Sequence, residues 1–351
     1  MGKYVVKRLI LAVITAFIVL SLTFFLVKLI PFSKPIGKPD VQYSYYMNQL
    51  YQGFVVRFTE KRSGYGELLF TYDTGIYSSS GKLVYYFYQT PMIQQYGYWI
   101  RNIFTRWDWG VSTYIEPNVD VMVIIGRRLP VSMRLNIISV VISVPTGIAL
   151  GIYAALHKNK PSDNIISTLV MVLVSVPGFV LITFLMLVFC YQLHWLPSQW
   201  PKPEANDQLK AMAYILPVTV LSLGSICGYC RAVRAELCEV LESEYLLLAR
   251  TKGLTKNQAI IRHALRNAMV PIVPSILAEF IGILGGSMIL ENLYGIPGYG
   301  SLYITAINRA DYNVLFVDMA IFEIIGLVSG IFLDLSYGFI DPRIRMGASN
   351  K

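Results

Sequence analysis

Six apolar runs, at positions 9–27, 135–156, 165–191, 211–229, 271–290 and 314–339, dominate the pattern of hydrophobic and polar positions. Each matches or exceeds the about 18 residues that mark a membrane-crossing helix, and polar stretches separate them. The pattern predicts six transmembrane helices. Lys3, Lys7 and Arg8 precede the first run, and Val27-Lys28-Leu29-Ile30-Pro31 after it offers no small-x-small cleavage site, so an uncleaved helix with a cytoplasmic N-terminus is expected. Alternation then puts Lys158, Lys160, Arg231, Arg234, Arg250, Lys252, Lys256, Arg262, Arg266, Arg343, Arg345 and Lys351 inside. The two short outside loops hold only Lys202, Lys210 and Arg309, which agrees with the positive-inside rule. Both termini of this multi-pass membrane protein are therefore expected in the cytoplasm.

Two connections are long enough to need structures of their own. The extracytoplasmic one, 31–134, holds two β-rich runs, 67–72 and 82–88, around Asp73-Thr74-Gly75 and Ser78-Ser79-Ser80-Gly81, which predicts a β-hairpin. Residues 98–107 mix aromatic and apolar side chains with arginine, as in a helix lying at a membrane surface. The many tyrosines of 41–90 suit an interface, where rigid amphipathic rings bury area with little loss of entropy. The second connection, 231–267 inside, reads as helix, turn, helix. Gly253 fits a left-handed C-cap and Thr255 an N-cap. Just before the turn, Tyr245, Leu246, Leu247, Leu248 and Ala249 form an apolar patch rimmed by charge, a candidate docking surface.

Composition narrows the function. Hydrophobic residues make up 55% of the 351 and charged residues 15%, against about 25% charge in soluble domains. The net charge of +9 is explained by the inside loops, so no nucleic acid is expected. The four cysteines, Cys190, Cys227, Cys230 and Cys238, lie in or beside apolar runs and build no disulfide framework. His157, His194 and His263 fall on opposite membrane faces, so neither a metal site nor a catalytic constellation is expected. No Gly-x4-Gly-Lys-Ser/Thr run occurs, so this chain is expected to bind no cofactor and no nucleotide. Charged residues inside spans suggest a pathway, and here they are Glu279, Asp318, Glu323 and Asp334. Glu279 shares a helical face with Gly282 and Gly286. It suits either a pathway or a structural carboxylate held by hydroxyls or amides. Asp318 and Glu323 lie about 140° apart around one helix and cannot both line a pathway squarely. Asp334 is expected to pair with Arg343 or Arg345.

The run Glu244-Tyr245 … Ala249-Arg250-Thr251-Lys252-Gly253-Leu254 … Arg262-His263-Ala264-Leu265-Arg266-Asn267-Ala268 … Pro271 resembles the cytoplasmic coupling loop of permease subunits in peptide and nickel ABC importers. Asp108-Trp109-Gly110-Val111-Ser112, Arg128-Leu129-Pro130, Ser175-Val176-Pro177-Gly178-Phe179, Glu291 with Pro297-Gly298-Tyr299-Gly300, and Asp341-Pro342-Arg343-Ile344-Arg345 carry the likeness from about Tyr98 to Arg345. Of the general Glu-Ala-Ala…Gly pattern only Ala249 and Gly253 fit, with Leu247 and Leu248 in the other places.

The resemblance implies an all-α membrane protein with the six transmembrane helices of the type I importer permease fold. A small extracytoplasmic α/β insertion falls between the first two helices. The expected divisions are 1–30, a first helix; 31–134, the insertion; 135–345, the permease core with its coupling loop 231–267; and 346–351, a cytoplasmic tail. It further implies a second homologous permease completing a heterodimer, two cytoplasmic ATPases that bind ATP and Mg, and an extracytoplasmic solute-binding protein. The residues implied in coupling are Glu244, Tyr245, Leu247, Leu248, Ala249, Arg250, Gly253 and Leu254. Peptides are the implied cargo, with nickel or another small solute as alternatives within the class. A secondary transporter driven by an ion gradient is the alternative outside it, but that would more often show inverted repeats with broken helices.

Overall fold

A computed structural model describes residues 2–30, 35, 37–78 and 81–340. The motif at 341–345, the tail 346–351 and the expected pairing of the Asp334 side chain lie outside the described residues. In chain order the elements begin with α1 (Gly2–Leu29), α2 (Pro39–Gln52), β1 (Val55–Phe58), β2 (Leu68–Ser78), β3 (Gly81–Gln89) and α3 (Met92–Arg106). Then follow α4 (Val121–Leu156), α5 (Pro161–Ser175), α6 (Gly178–Met186, prolonged by a π-turn to Gln192), α7 (Asp207–Leu241) and α8 (Glu244–Thr251). The chain continues with α9 (Lys256–Ala259), a π-turn into α10 (Leu265–Ala268), α11 (Ile272–Gly282), α12 (Met288–Tyr294), α13 (Tyr299–Asn308) and α14 (Tyr312–Ile340).

Four of the described helices are long and apolar enough to cross a membrane: α1, α4, α7 and α14. The count rises to six if each of two bent pairs is one span. The run expected as one helix over 165–191 is broken, α5 and α6 meeting at 96°. Pro177 causes the break, because it has no N–H to continue the ladder and forces Val176 before it into an extended conformation, φ −89° and ψ 118°. A second bend, of 54°, falls at Met269–Pro271. At 35 residues α7 is about 52 Å long and α4, at 36, about 54 Å, each well beyond the ~30 Å of a hydrocarbon core. The long helices therefore carry their ends, and the loops attached to them, away from the apolar region. Instead of beginning near 135, α4 starts at Val121, inside the expected insertion.

The chain divides into two compact units. One contains residues 129–301 with the two terminal segments. Its axis is α7, against which α5 and α6 pack, and α4 approaches it at Gly147 and Gly151. A Cβ at Gly147 would lie 2.9 Å from the Ile226 carbonyl and one at Gly151 2.8 Å from that of Cys230, so these backbones touch only because both positions lack side chains.

The other unit contains residues 13–128 and 302–324. Its three-stranded antiparallel sheet has the order β1-β3-β2, and the hairpin forms where the two β-rich runs predicted it. Most of the tyrosines that suggested an interface turn out to be the core of this unit. Tyr45, Tyr46 and Tyr88 are buried, Tyr43 stacks on Tyr72 at 4.1 Å between ring centroids, and Tyr46 stacks on Phe70 at 4.8 Å. Burial pushes the Tyr45 and Tyr46 hydroxyls well above the usual phenol range. Toward the end of β2, Ile76 and Tyr77 are largely exposed. The helix expected at 98–107 is α3, which starts earlier, and its inner face puts Trp99 against Phe24 and Phe316. Asp311, fully buried ahead of α14, accepts from the Ser112 hydroxyl at 2.5 Å and from the N–H groups of Thr113, Tyr114 and Ile115 at 2.8–3.0 Å. One carboxylate thereby fixes the loop that carries the Asp108–Ser112 motif.

Candidate functional site

The inside connection is more segmented than one helix, a turn and a second helix. The first helix ends at Leu241, and Glu242 and Ser243 break it before α8 begins. Gly253 takes φ +95°, as its place after a helix demands, and Thr255 caps α9 with a full capping box completed by Gln258. Within α8 the apolar patch divides. Leu246, 5% exposed, enters a cluster with Ala155, Leu237, Ala259, Ala264 and Ala268. Tyr245, Leu247 and Leu248, 41%, 63% and 56% exposed, face outward. Glu244, Arg250 and Gly253 are exposed as well, Ala249 is half-buried, and Leu254 packs inward on the cluster instead of joining the outer face. The small alanines bring the helices close, so α8 is held by one leucine anchor and displays three large apolar side chains. A patch of this kind on a hydrophilic loop is a candidate docking surface.

Two polar ties fix the base of this loop. Lys158 pairs with Glu242, which holds the lysine ammonium above its ordinary range. Asp163, fully buried, accepts from Arg234 Nε at 2.6 Å and Nη2 at 2.8 Å, and from the Asn159 N–H at 2.9 Å. This bidentate clamp joins α5 to α7. Its two residues lie 71 positions apart, and sequence pattern alone could not pair them.

Of the expected pathway residues, Glu279 lies half-buried on α11, where Ser225 of α7 donates its hydroxyl to Glu279 Oε1 at 2.5 Å. The two border a 190 Å³ cavity with Asn136, Ser139 and Gly282. Asn136 Nδ2 donates to the Ile283 carbonyl at 2.8 Å, and Ser222 donates its hydroxyl to Ser139 Oγ at 3.2 Å. The structure thus holds Glu279 by a neighbouring hydroxyl, as the structural reading expects, at the edge of a cavity that Val140, Leu221 and Ile283 also line. Gly286 departs from expectation: α11 ends at Gly282, a 3-10 turn follows, and Gly286 at φ +64° leaves the Glu279 face. Asp318 is fully buried and Glu323 half-buried, both on α14. The neutral polar groups around Glu279 escaped sequence reading because it weighed only charges within spans.

A second structural centre surrounds Glu291, 2% exposed. Its Oε1 accepts from the Ser287 N–H at 3.1 Å and its Oε2 from the Ser301 N–H at 3.0 Å, and Ser132 adds a side-chain hydrogen bond. The same Ser132 hydroxyl accepts from the Tyr299 N–H at 2.7 Å. A Cβ at Gly298 would meet the Glu291 carboxylate, and one at Gly300 would lie 2.9 Å from the Met288 nitrogen. The Glu291 and Pro297–Gly300 motifs therefore form one knot, in which the glycines admit a buried carboxylate and its donors.

Long apolar helices, with a helical hook showing an apolar face, fit a multi-helix membrane subunit, and the family of the chain makes it a transport subunit. The chain belongs to the binding-protein-dependent transport system inner membrane component family, whose model matches residues 147–346. It is 30% identical over 347 residues to the dipeptide transport system permease protein DppB of Bacillus subtilis (strain 168), covering 99% of each chain. It is also 30% identical over 347 residues to the oligopeptide transport system permease protein OppB of Haemophilus influenzae, covering 98% of this chain and 100% of the relative. Among solved structures, a chain of an amino acid ABC transporter with histidines matches at a TM-score of 0.49 and 19% identity, over 63% of this chain and 98% of that one.

Proposed function

We propose that this chain forms half of the translocation pathway of an ATP-driven importer for dipeptides or oligopeptides. In this reading a second, homologous permease supplies the other half, two cytoplasmic ATPases bind ATP and Mg, and an extracytoplasmic solute-binding protein delivers the cargo. The chain crosses the membrane six times, each bent helix pair counting once, with both termini in the cytoplasm and residues 31–120 outside. The observation that carries the reading is the outward face of α8, where Tyr245, Leu247 and Leu248 remain open on a helix anchored by Leu246. Such a face seats in a groove of the ATPase, and closure of the ATPases then moves the spans as rigid bodies. Co-expression with the ATPases, reconstitution in liposomes and measurement of peptide uptake with peptide-stimulated ATP hydrolysis test it. Uptake that proceeds without ATPases and follows an ion gradient would overturn it.

In this pathway Glu279 supplies negative potential. Glu279→Gln keeps the shape and the acceptor for Ser225 but removes the charge. Uptake of cationic peptides should fall several-fold relative to neutral ones, the size of a partly screened charge interaction. An equal effect on both cargoes would make Glu279 purely structural.

The extracytoplasmic unit contributes to docking the solute-binding protein through Ile76 and Tyr77 toward the end of β2, since most of its other tyrosines are already used in its core. Replacing Ile76 and Tyr77 by serine leaves that core intact and should weaken docking, measured with the complex in nanodiscs, about tenfold or more if Tyr77 is an interface anchor. Unchanged affinity would remove both residues from the interface.

A further inference from the structure

A cavity of about 250 Å³ lies in the unit built from residues 13–128 and 302–324. Lys28, Gln49, Phe54, Glu67 and Asn313 are among the residues that line it. Its volume is just below the ~300–1,000 Å³ of pockets for drug-sized ligands. Two of its polar side chains are already in use. Gln95 Nε2 donates to the Thr90 carbonyl at 2.7 Å, and Asn313 Nδ2 to the Val111 carbonyl at 2.8 Å. Two donors are not. Gln49 is 4% exposed, and its Nε2 is buried without an acceptor among the described residues. The Lys28 ammonium lies 4.3 Å from the centre of the Phe54 ring, and no carboxylate among the described residues pairs with it. A buried amide donor without a partner is costly, and a lysine on the same lining, held by the Phe24 and Phe54 rings but by no carboxylate, leaves room for an anion. Glu67 supplies the opposite charge at an exposed position on the lining, and it too has no ion-pair partner among the described residues.

The place of the cavity indicates which ligand carries both charges. Lys28 is the penultimate residue of the candidate membrane span Val6–Leu29, at the depth where lysine side chains reach for headgroups. Leu29 and Ile30 line the cavity, and Leu29 continues an exposed face with Leu22 and Leu26, spaced four and three residues apart along α1. An acyl chain lying on that face brings its headgroup to Lys28. We propose that Lys28, Gln49 and Glu67 form a site for the zwitterionic headgroup of an ethanolamine phospholipid, with the phosphate on Lys28 and Gln49 and the ammonium toward Glu67. The site depends on the membrane span of α1 and not on the cargo of the importer.

The test uses the full chain with its co-expressed partner subunits, in nanodiscs of equal parts ethanolamine and choline phospholipid, with retained lipid read by native mass spectrometry. The wild type should keep the ethanolamine lipid in preference. Lys28→Met should lower its retention about tenfold, the worth of a charge-assisted hydrogen bond. Lys28→Arg should keep it, which separates loss of the site from loss of the fold. Glu67→Gln should leave phospholipid bound but erase the preference for ethanolamine over choline. No enrichment, or equal enrichment in the wild type and Lys28→Met, would overturn the site. So would calorimetric binding of the soluble zwitterion glycylglycine that Lys28→Met abolishes while no lipid is retained, because the cavity would then be a solute site.

Discussion

Gly253→Val should abolish most peptide-stimulated ATP hydrolysis while the chain still inserts in the membrane. A Cβ at Gly253 would meet no atom within 4 Å, so the effect is conformational and not a clash. The residue holds φ +95°, and a side chain there costs about 1–3 kcal/mol, most for a β-branched one. To escape that strain the turn between α8 and α9 must change shape, and Tyr245, Leu247 and Leu248 then leave the register that the proposed docking requires. The strain corresponds to a drop of about five- to 150-fold if it is relieved by undocking. Gly253→Asn, whose side chain tolerates the left-handed region, should keep most of the stimulation. The measurement is ATPase activity of the reconstituted complex with and without peptide and binding protein. Full stimulation in the valine variant would show that this turn does not set the coupling geometry.

Arg234→Leu should produce the largest loss of stability of any single change considered. It leaves the fully buried Asp163 carboxylate with the Asn159 N–H and, at 3.3 Å, the Ser167 hydroxyl as its remaining donors. Removing one partner of a fully buried ion pair costs about 3–5 kcal/mol, and with Arg234 32% exposed the loss here should fall toward or below the lower end, whereas replacing both by apolar residues is often near neutral. The double variant Asp163→Leu with Arg234→Leu should therefore recover much of what the single change loses. Denaturation of the purified chain in detergent, compared across the two single variants and the double, reads the pair directly. If Arg234→Leu alone costs no more than the double change, the clamp contributes little to stability.

The sequence located the helices better than their interruptions. Apolar runs reveal where the chain enters lipid, but the 96° bend at Val176–Pro177 lies inside an unbroken apolar run, where hydropathy is blind to a missing N–H. In the sequence Pro177 stands within the Ser175–Phe179 motif, and nothing there marks it as a break. On α8 the apolar run was plain, while the division between Leu246 and its neighbours required the α4 and α7 ends that bury it. The tyrosines of 41–90 were legible as amphipathic, but amphipathic rings serve a small core as readily as an interface, and only the sheet packing decides. The role of Glu291 is illegible in the sequence because its partners are backbone N–H groups and a serine 159 positions away, contacts that leave no local pattern.

The division of labour within α8 has an evolutionary consequence. In the proposed coupling one side chain fastens the helix and different ones meet the ATPase, so substitutions at Tyr245, Leu247 and Leu248 leave the permease's own packing intact. The outer triplet can drift together with a new motor subunit while Leu246 and its alanine bed stay constant. Importers that diverge in cargo can then share a common pair of ATPases, or exchange them, by changing three neighbouring codons and leaving the membrane domain untouched.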